Sequence, residues 1–323
     1  MVSPPLRMEK IPQPLMNAST LSGVLDKNLK KLADRLGVTL ALRGDQLLID
    51  GDAQRIAFAK HYFEMLHELR EKGHDLREED LLIALDMLEQ GTCPSVDDYA
   101  PAEPLNLSRK SVSPKSLNQQ AYIQAIKTHD LVFGIGPAGT GKTYLAMAMA
   151  LAFLQNKAVN RIILTRPAVE AGEKLGFLPG DLIQKINPYL RPLYDALFDL
   201  FQYEQANRLI ERGVIEIAPL AFMRGRTLNS AFIILDEAQN TTREQMKMIL
   251  TRAGFDAKLV ITADITQIDL PQPRKSGVIH AMKILAPLPE ISFVHFNDKD
   301  VVRHPLVQKI IKAYQKAEAR DDR

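Results

Sequence analysis

The chain predicts an α/β fold: a mainly parallel sheet with helices on both faces, preceded by a small α+β N-terminal domain. Three observations predict it. From Pro114 onward, six apolar runs of strand length alternate with helical stretches. One of these runs enters a glycine-rich turn that opens onto an Ala/Leu/Met-rich helix, and another ends in two adjacent carboxylates. Continuous apolar runs, rather than alternating ones, mark strands covered on both sides.

Residues 1–19 hold Pro4, Pro5, Pro12 and Pro14 and read as a flexible tail, with no apolar stretch of signal-peptide length. Residues 20–91 form the small domain. Leu29, Leu32 and Leu36 share one face of a helix over 25–36. Two short apolar runs, 38–42 and 46–49, flank Gly44-Asp45 and read as a hairpin. Gly51-Asp52 starts a helix that runs to about Lys72 and stops at Gly73, and a further helix spans 78–90. Residues 92–113, with Pro94, Pro101 and Pro104, read as a linker. Residues 114–323 form the second domain. Its expected strands are 131–134, 161–165, 214–218, 231–236, 258–262 and 291–296, with helices at 142–155, 194–211, 243–251 and 277–285.

Composition removes several classes of function. Charged residues make up 25% and hydrophobic residues 46%, so the chain is neither disordered nor a membrane protein. Its longest apolar run, Tyr144 to Leu154, is shorter than the ~18 residues of a membrane span. Cys93 is the only cysteine, which rules out an internal disulfide and a thiolate zinc cluster and fits a reducing cytoplasm. None of the seven histidines has ligand spacing. A net charge of +2 gives no global attraction to nucleic acid, so any such interface is local.

Gly136-Pro137-Ala138-Gly139-Thr140-Gly141-Lys142-Thr143 matches G-x-x-x-x-G-K-[ST] in the strand–turn–helix context that the motif requires. This is a phosphate-binding loop. Its glycines let the backbone close around phosphate oxygens, and the helix N-terminus supplies positive potential. Lys142 is positioned for the β and γ phosphates, and Thr143 for Mg²⁺. The apolar strand ending in Asp236-Glu237 supplies the acidic partner. Asp236 is the expected second Mg²⁺ residue, and Glu237 is the expected orienter or base for the attacking water. A water-activating carboxylate favours hydrolysis over transfer to a metabolite. Together these features imply a RecA-like P-loop NTPase core that uses a nucleoside triphosphate and Mg²⁺.

Further residues carry a family resemblance. Asp236-Glu237-Ala238-Gln239-Asn240 resembles motif II of superfamily 1 helicases, and Ile261-Thr262-Ala263-Asp264-Ile265-Thr266-Gln267 resembles their motif III. Thr165-Arg166-Pro167-Ala168-Val169-Glu170, the stretch Gly172 to Gly180, and Asp300-Val301-Val302-Arg303-His304-Pro305 complete a pattern similar to the PhoH family, in the form with a KH-like N-terminal region. The resemblance spans about residues 19–318. It implies a cytoplasmic ATPase that acts on single-stranded RNA, with possible helicase activity, beside an endoribonuclease of ribosomal-RNA maturation. A nucleotide-gated protein-interaction switch without translocation is the alternative.

The resemblance also assigns roles. Gln119, after Pro114-Lys115-Ser116, is the expected reader of the base, against a plain helix start. Gln267 is the expected γ-phosphate sensor. Ala263 stands where the family usually has glycine, which would strain any turn there that needs positive φ. Arg166 either supports the site or contacts RNA, or else pairs with Glu170 or Glu173. Arg303 is the expected arginine finger, with Arg224, Arg226 and Arg274 as rivals. About 55 residues follow motif III, too few for a second core. The completing arginine therefore comes from the same core or from a neighbouring subunit, and the latter predicts a head-to-tail ring. The small domain holds no GXXG loop, so RNA binding and plain packing are equal expectations for it.

Overall fold

The computed structural model describes residues 7–12, 21–23, 26–44, 46–72, 76–90, 104–167, 182–272, 275–302 and 310. The chain divides into two compact units, Met1–Glu103 with Ser113–Leu117, and Pro104–Val112 with Asn118–Arg323.

In the first unit, strands β1 (Arg7–Pro12), β2 (Thr39–Arg43) and β3 (Gln46–Gly51) form an antiparallel sheet in the order β1-β3-β2. Helices α1 (Lys27–Leu36), α2 (Ala53–Glu71) and α3 (Glu78–Gln90) accompany it. Leu29, Leu32 and Leu36 are buried as their spacing predicts. Asp52 caps α2 by accepting from Arg55 N at 2.9 Å. Tyr62 on α2 donates to Leu81 O on α3 at 2.7 Å, and Arg35 on α1 reaches Asp86 and Glu89 at 2.6 and 2.8 Å.

Strand β1 lies in the region expected to be a flexible tail. It pairs with β3 from Arg7↔Gly51 to Pro12↔Gln46 and buries Ile11. The prolines misdirect the expectation: an edge strand tolerates Pro12, its last residue, because its outer N–H groups need no sheet partner.

The expected linker also carries structure. Strands β4 (Leu105–Asn106) and β5 (Ser111–Val112) pair antiparallel and belong to the second unit, with Leu105, Leu107 and Val112 in its core.

The main sheet of the second unit holds, among the described residues, six strands: β6 (Leu131–Ile135), β7 (Arg161–Arg166), β8 (Ile215–Pro219), β9 (Ala231–Leu235), β10 (Lys258–Ala263) and β11 (Ile291–His295). They pair in the order β11-β6-β10-β9-β7-β8, and every pairing is parallel. The helices are α4 (Leu117–Thr128), α5 (Lys142–Gln155), α6 (Leu182–Leu200), α7 (Tyr203–Glu211), α8 (Arg243–Leu250) and α9 (Gly277–Leu285). The single helix expected over 194–211 is two, because Gln202 is extended between α6 and α7. Val132, Ile162, Phe232 and Val260 enter one core, while Phe133, Ile163, Ile233 and Ile261 enter a second on the opposite sheet face. All six strands therefore end at one edge, and their loops meet there.

Candidate functional site

The phosphate loop begins where β6 ends. Gly136 N donates to Ala263 O at 3.0 Å, tying the ends of β6 and β10 together. Gly136 has φ 153°, and a Cβ there would stand 2.6 Å from Phe296 O. Only glycine fits so close to the backbone after β11. Gly141 has φ 84° and precedes α5, whose N-terminus has no side-chain cap. The first-turn N–H groups of α5 thus face the loop, the arrangement that binds phosphate. Lys142 is buried and donates to Gly136 O at 2.6 Å and Pro137 O at 2.9 Å, so its ammonium lies inside the loop. Thr140 Oγ1 donates to Pro137 O at 2.9 Å.

Two neighbours hold the loop from outside. Gln119 is 3% exposed and donates from Nε2 to Thr140 O at 3.0 Å. This contact braces the loop backbone. Val302 N donates to Gly139 O at 2.9 Å. Asp300, also buried, accepts from Asn118 Nδ2 at 2.9 Å and from Asn297 N at 2.7 Å. The chain just before Arg303 is thereby anchored on the loop; Arg303 itself lies outside the described residues, as does Arg274.

The acidic pair sits across from Thr143. Asp236 Oδ1 accepts from Thr143 Oγ1 and from Thr262 Oγ1, both at 2.6 Å. Strands β9 and β7 stay paired to their ends, with Asp236 N donating to Thr165 O at 2.9 Å. That register brings Arg166 beside Glu237, and Arg166 Nη2 lies 3.1 Å from Glu237 Oε1. Arg166 thus pairs with Glu237, a partner that the sequence did not name; Glu170 and Glu173 lie outside the described residues. Glu237 has φ 53°, a left-handed conformation uncommon for a non-glycine residue and frequent at functional turns.

Gln239 joins the two helicase-like motifs. Fully buried, it donates from Nε2 to Glu237 Oε2 and, at 3.1 Å, to Gln267 O; its Oε1 accepts from Asp264 N at 3.0 Å. Asn240 makes a parallel link, accepting from Asp269 N at 2.8 Å. Ala263 is an ordinary buried strand residue and is absent from the positive-φ positions, so the substitution for glycine introduces no strain.

An open cleft of about 250 Å³ gathers these groups. Ala138, Gly139, Gly141, Lys142, Thr143, Asp236, Glu237 and Gln267 all line it, so most of the sequence-derived site is contiguous. Gly136, Pro137, Thr140 and Gln119 support the loop from behind. Among the described residues no arginine lines the cleft. Arg226 is held by Glu216 at 2.6 and 2.7 Å, and Arg224 is exposed. Sequence reasoning missed Thr262, Gln239 and Tyr144 as members of the site. Thr262 and Gln239 stand inside the two quoted motifs, and Tyr144 follows Thr143 directly.

The donors suit Mg²⁺. Thr143 and Asp236 offer adjacent hard oxygens, and Asp264 Oδ2 is buried in the same cleft with no hydrogen-bond partner. Magnesium is bound through one or two carboxylates and phosphate oxygens rather than through a full protein cage. Nearby, burial pushes the Tyr122 hydroxyl well above its usual range, and the Asp236 charge adds to the shift. Tyr122 is therefore a neutral packing residue.

Comparison with known proteins gives the family of the chain. A family model described as PhoH-like protein matches residues 111–315. The PhoH-like protein of Bacillus subtilis is 49% identical over 300 residues, 93% of this chain and 94% of its own length. The PhoH-like protein of Mycobacterium bovis is 52% identical over 303 residues, 92% of this chain and 85% of its own. Among solved structures, the large terminase from a thermophilic bacteriophage aligns over 61% of this chain and 49% of its own, with a TM-score of 0.38 and 12% identity; at that distance the likeness says nothing about activity. The family match and the strand–loop–helix site support nucleotide hydrolysis. The chain belongs to the PhoH-like family.

Proposed function

We propose that this protein is a Mg²⁺-dependent ATPase whose hydrolysis is coupled to binding or remodelling of single-stranded RNA. The observation that carries the ATPase reading is the junction of Thr143, Asp236 and Thr262, with Glu237 one residue further at the mouth of the same cleft. Thr143 and Asp236 would hold Mg²⁺, which neutralises charge on the phosphates when bound. Lys142 exchanges the carbonyls of Gly136 and Pro137 for β and γ phosphate oxygens. Water attacks the γ-phosphorus while the bond to the bridging oxygen breaks, its electron pair leaving on ADP. Glu237 takes the proton from that water, giving ADP and inorganic phosphate. Gln267 lines the same cleft, and its proposed role is to orient the water.

The RNA part rests on the helicase-like motifs and on Arg166 at the sheet edge that carries the site. We extend it to a homo-oligomer in which an arginine, Arg303 first among the candidates, completes the site of a neighbouring subunit. An endoribonuclease of ribosomal-RNA maturation is the proposed associate. Steady-state ATP hydrolysis with Mg²⁺, measured with and without single-stranded RNA, tests the coupling. A severalfold rise in kcat with RNA is expected. Hydrolysis indifferent to RNA would overturn the coupling and leave a nucleotide-gated switch. Mixing Lys142→Ala with Arg303→Ala protein tests the shared site: activity recovers if subunits exchange and the arginine acts across the interface.

A further inference from the structure

Glu237 is tethered at both carboxylate oxygens. Arg166 lies 3.1 Å from Oε1, and Gln239 donates to Oε2, so each carboxylate oxygen already has a donor. A general base must itself accept a proton from the attacking water at hydrogen-bond distance. Glu237 lines the cleft with its carboxylate tethered between a guanidinium on β7 and a buried amide, so the group is not free to swing onto a water at the γ-phosphate.

The two holders differ in how they are built. Gln239 is fully buried; besides Glu237 its side chain bonds Gln267 O and Asp264 N, and its carbonyl accepts from Ser276 Oγ. It cannot leave without breaking the floor of the cleft. Arg166 ends β7 and has, among the described residues, one other partner, Tyr189 O at 3.1 Å. Its side chain keeps 21% of its surface exposed and that of Glu237 keeps 34%, so an external anion can reach the guanidinium.

We propose that Arg166 is a gate on Glu237, opened by a phosphate of the RNA backbone. This inference rests on the ATPase reading and the RNA coupling proposed above, and a wild type indifferent to poly(U) overturns it together with that coupling. A guanidinium presents a planar fork that matches a phosphate as well as a carboxylate, so the phosphate competes for the same donors. The exchange leaves Arg166 paired with an anion throughout, whereas simple rupture would leave a half-buried charge unpaired. Glu237 gains its freedom only when RNA supplies the replacement. RNA stimulation then follows from partner exchange at one arginine, and Arg166 is a positioning residue rather than a catalytic one.

The test is ATP turnover by the full chain with and without poly(U), in wild type, Arg166→Ala and Arg166→Gln. The glutamine variant keeps a donor for Tyr189 O but lacks the charge, so it stands in if the alanine variant folds poorly. The gate predicts that either variant raises kcat without poly(U) by about tenfold, a small part of what a general base contributes. KM for ATP stays within about twofold of wild type, because only the release of the base changes. Stimulation by poly(U) collapses toward unity, and poly(U) affinity by fluorescence anisotropy drops severalfold. Adding Glu237→Gln to Arg166→Ala abolishes the gained turnover. A parallel fall of kcat with and without poly(U) in both Arg166 variants overturns the gate and leaves the ATPase reading intact. Absence of turnover in wild type, or full turnover in Glu237→Gln alone, overturns the ATPase reading and the gate with it.

Discussion

Gln239 Oε1 accepts the backbone N–H of Asp264 at 3.0 Å, so a side chain of one motif fixes the main chain of the other. The same side chain donates to Glu237 and to the carbonyl of Gln267. One buried amide therefore sets the spacing between the proposed base and the proposed γ-phosphate sensor. Replacing Gln239 with Ala leaves the Asp264 N–H and Gln267 carbonyl without this partner. Unfolding free energy should fall by about 1–3 kcal/mol in denaturant titration. Turnover should fall by about 10- to 100-fold with little change in KM, the signature of misplaced reacting groups.

Glycine positions separate a steric requirement from a conformational one. At Gly136 a Cβ would meet the Phe296 carbonyl at 2.6 Å and the Phe296 Cβ at 2.7 Å, in addition to the positive φ. At Gly225 the φ is 78° and no atom stands within 4 Å. Thermal melting of Gly136→Ala should show a loss of about 3 kcal/mol, from strain and overpacking together. Gly225→Ala should lose only about 1 kcal/mol, the cost of a left-handed conformation.

A surface cluster closes the turn between β4 and β5. Lys110 pairs with Asp199 at 2.5 Å and lies over the Tyr144 ring at 5.2 Å, while Tyr144 donates to Asp199 at 3.0 Å. Lys110 holds the Asp199 carboxyl below the usual carboxylate range. A lowered carboxyl stabilises the fold above its ordinary value of about 4 and loses that contribution as pH falls through its lowered value. Asp199 is 54% exposed, so solvent screening keeps the contribution under about 1 kcal/mol. Asp199→Asn should be slightly less stable than wild type at pH 7. The difference should shrink in acid and in high salt, as measured by urea titration at each condition.

Strand β1 tests the first unit. Ile11 is 7% exposed on an edge strand that covers β3. Ile11→Ala should cost the first unit about 2 kcal/mol, at the lower end for a buried isoleucine because an edge can relax. Amide exchange along β3 should quicken in the variant while exchange in β6 and β10 stays unchanged.

The six parallel strands were legible to within about a residue because most are continuous apolar runs with turn residues beside them, and the exceptions, β8 with Glu216 and β11 with Ser292, are still mainly apolar. The phosphate loop was legible because glycine, lysine and threonine stand at a spacing that only one backbone path uses. What escaped was of two kinds. Strand β1 was hidden by prolines, since composition reports what a segment disfavours and not what a neighbouring strand offers it. The Arg166–Glu237 pair was hidden by strand order: the residues are far apart in sequence and meet only because β7 lies next to β9. Charge pairing across strands is a product of topology, and the sequence offered only the nearby Glu170 and Glu173 as ion-pair partners, beside site support or RNA contact. Ala263 is the converse, a departure from the family pattern whose expected strain the strand geometry of β10 does not require.

Glu237→Gln tests the central claim most directly, because it keeps the size of the side chain and one acceptor oxygen while removing the base. ATP binding in the presence of Mg²⁺, followed by calorimetry, should stay within about threefold of wild type, while kcat falls by at least about 100-fold. Hydrolysis by Glu237→Gln near the wild-type rate would contradict the assignment of the base and, with it, this account of the site.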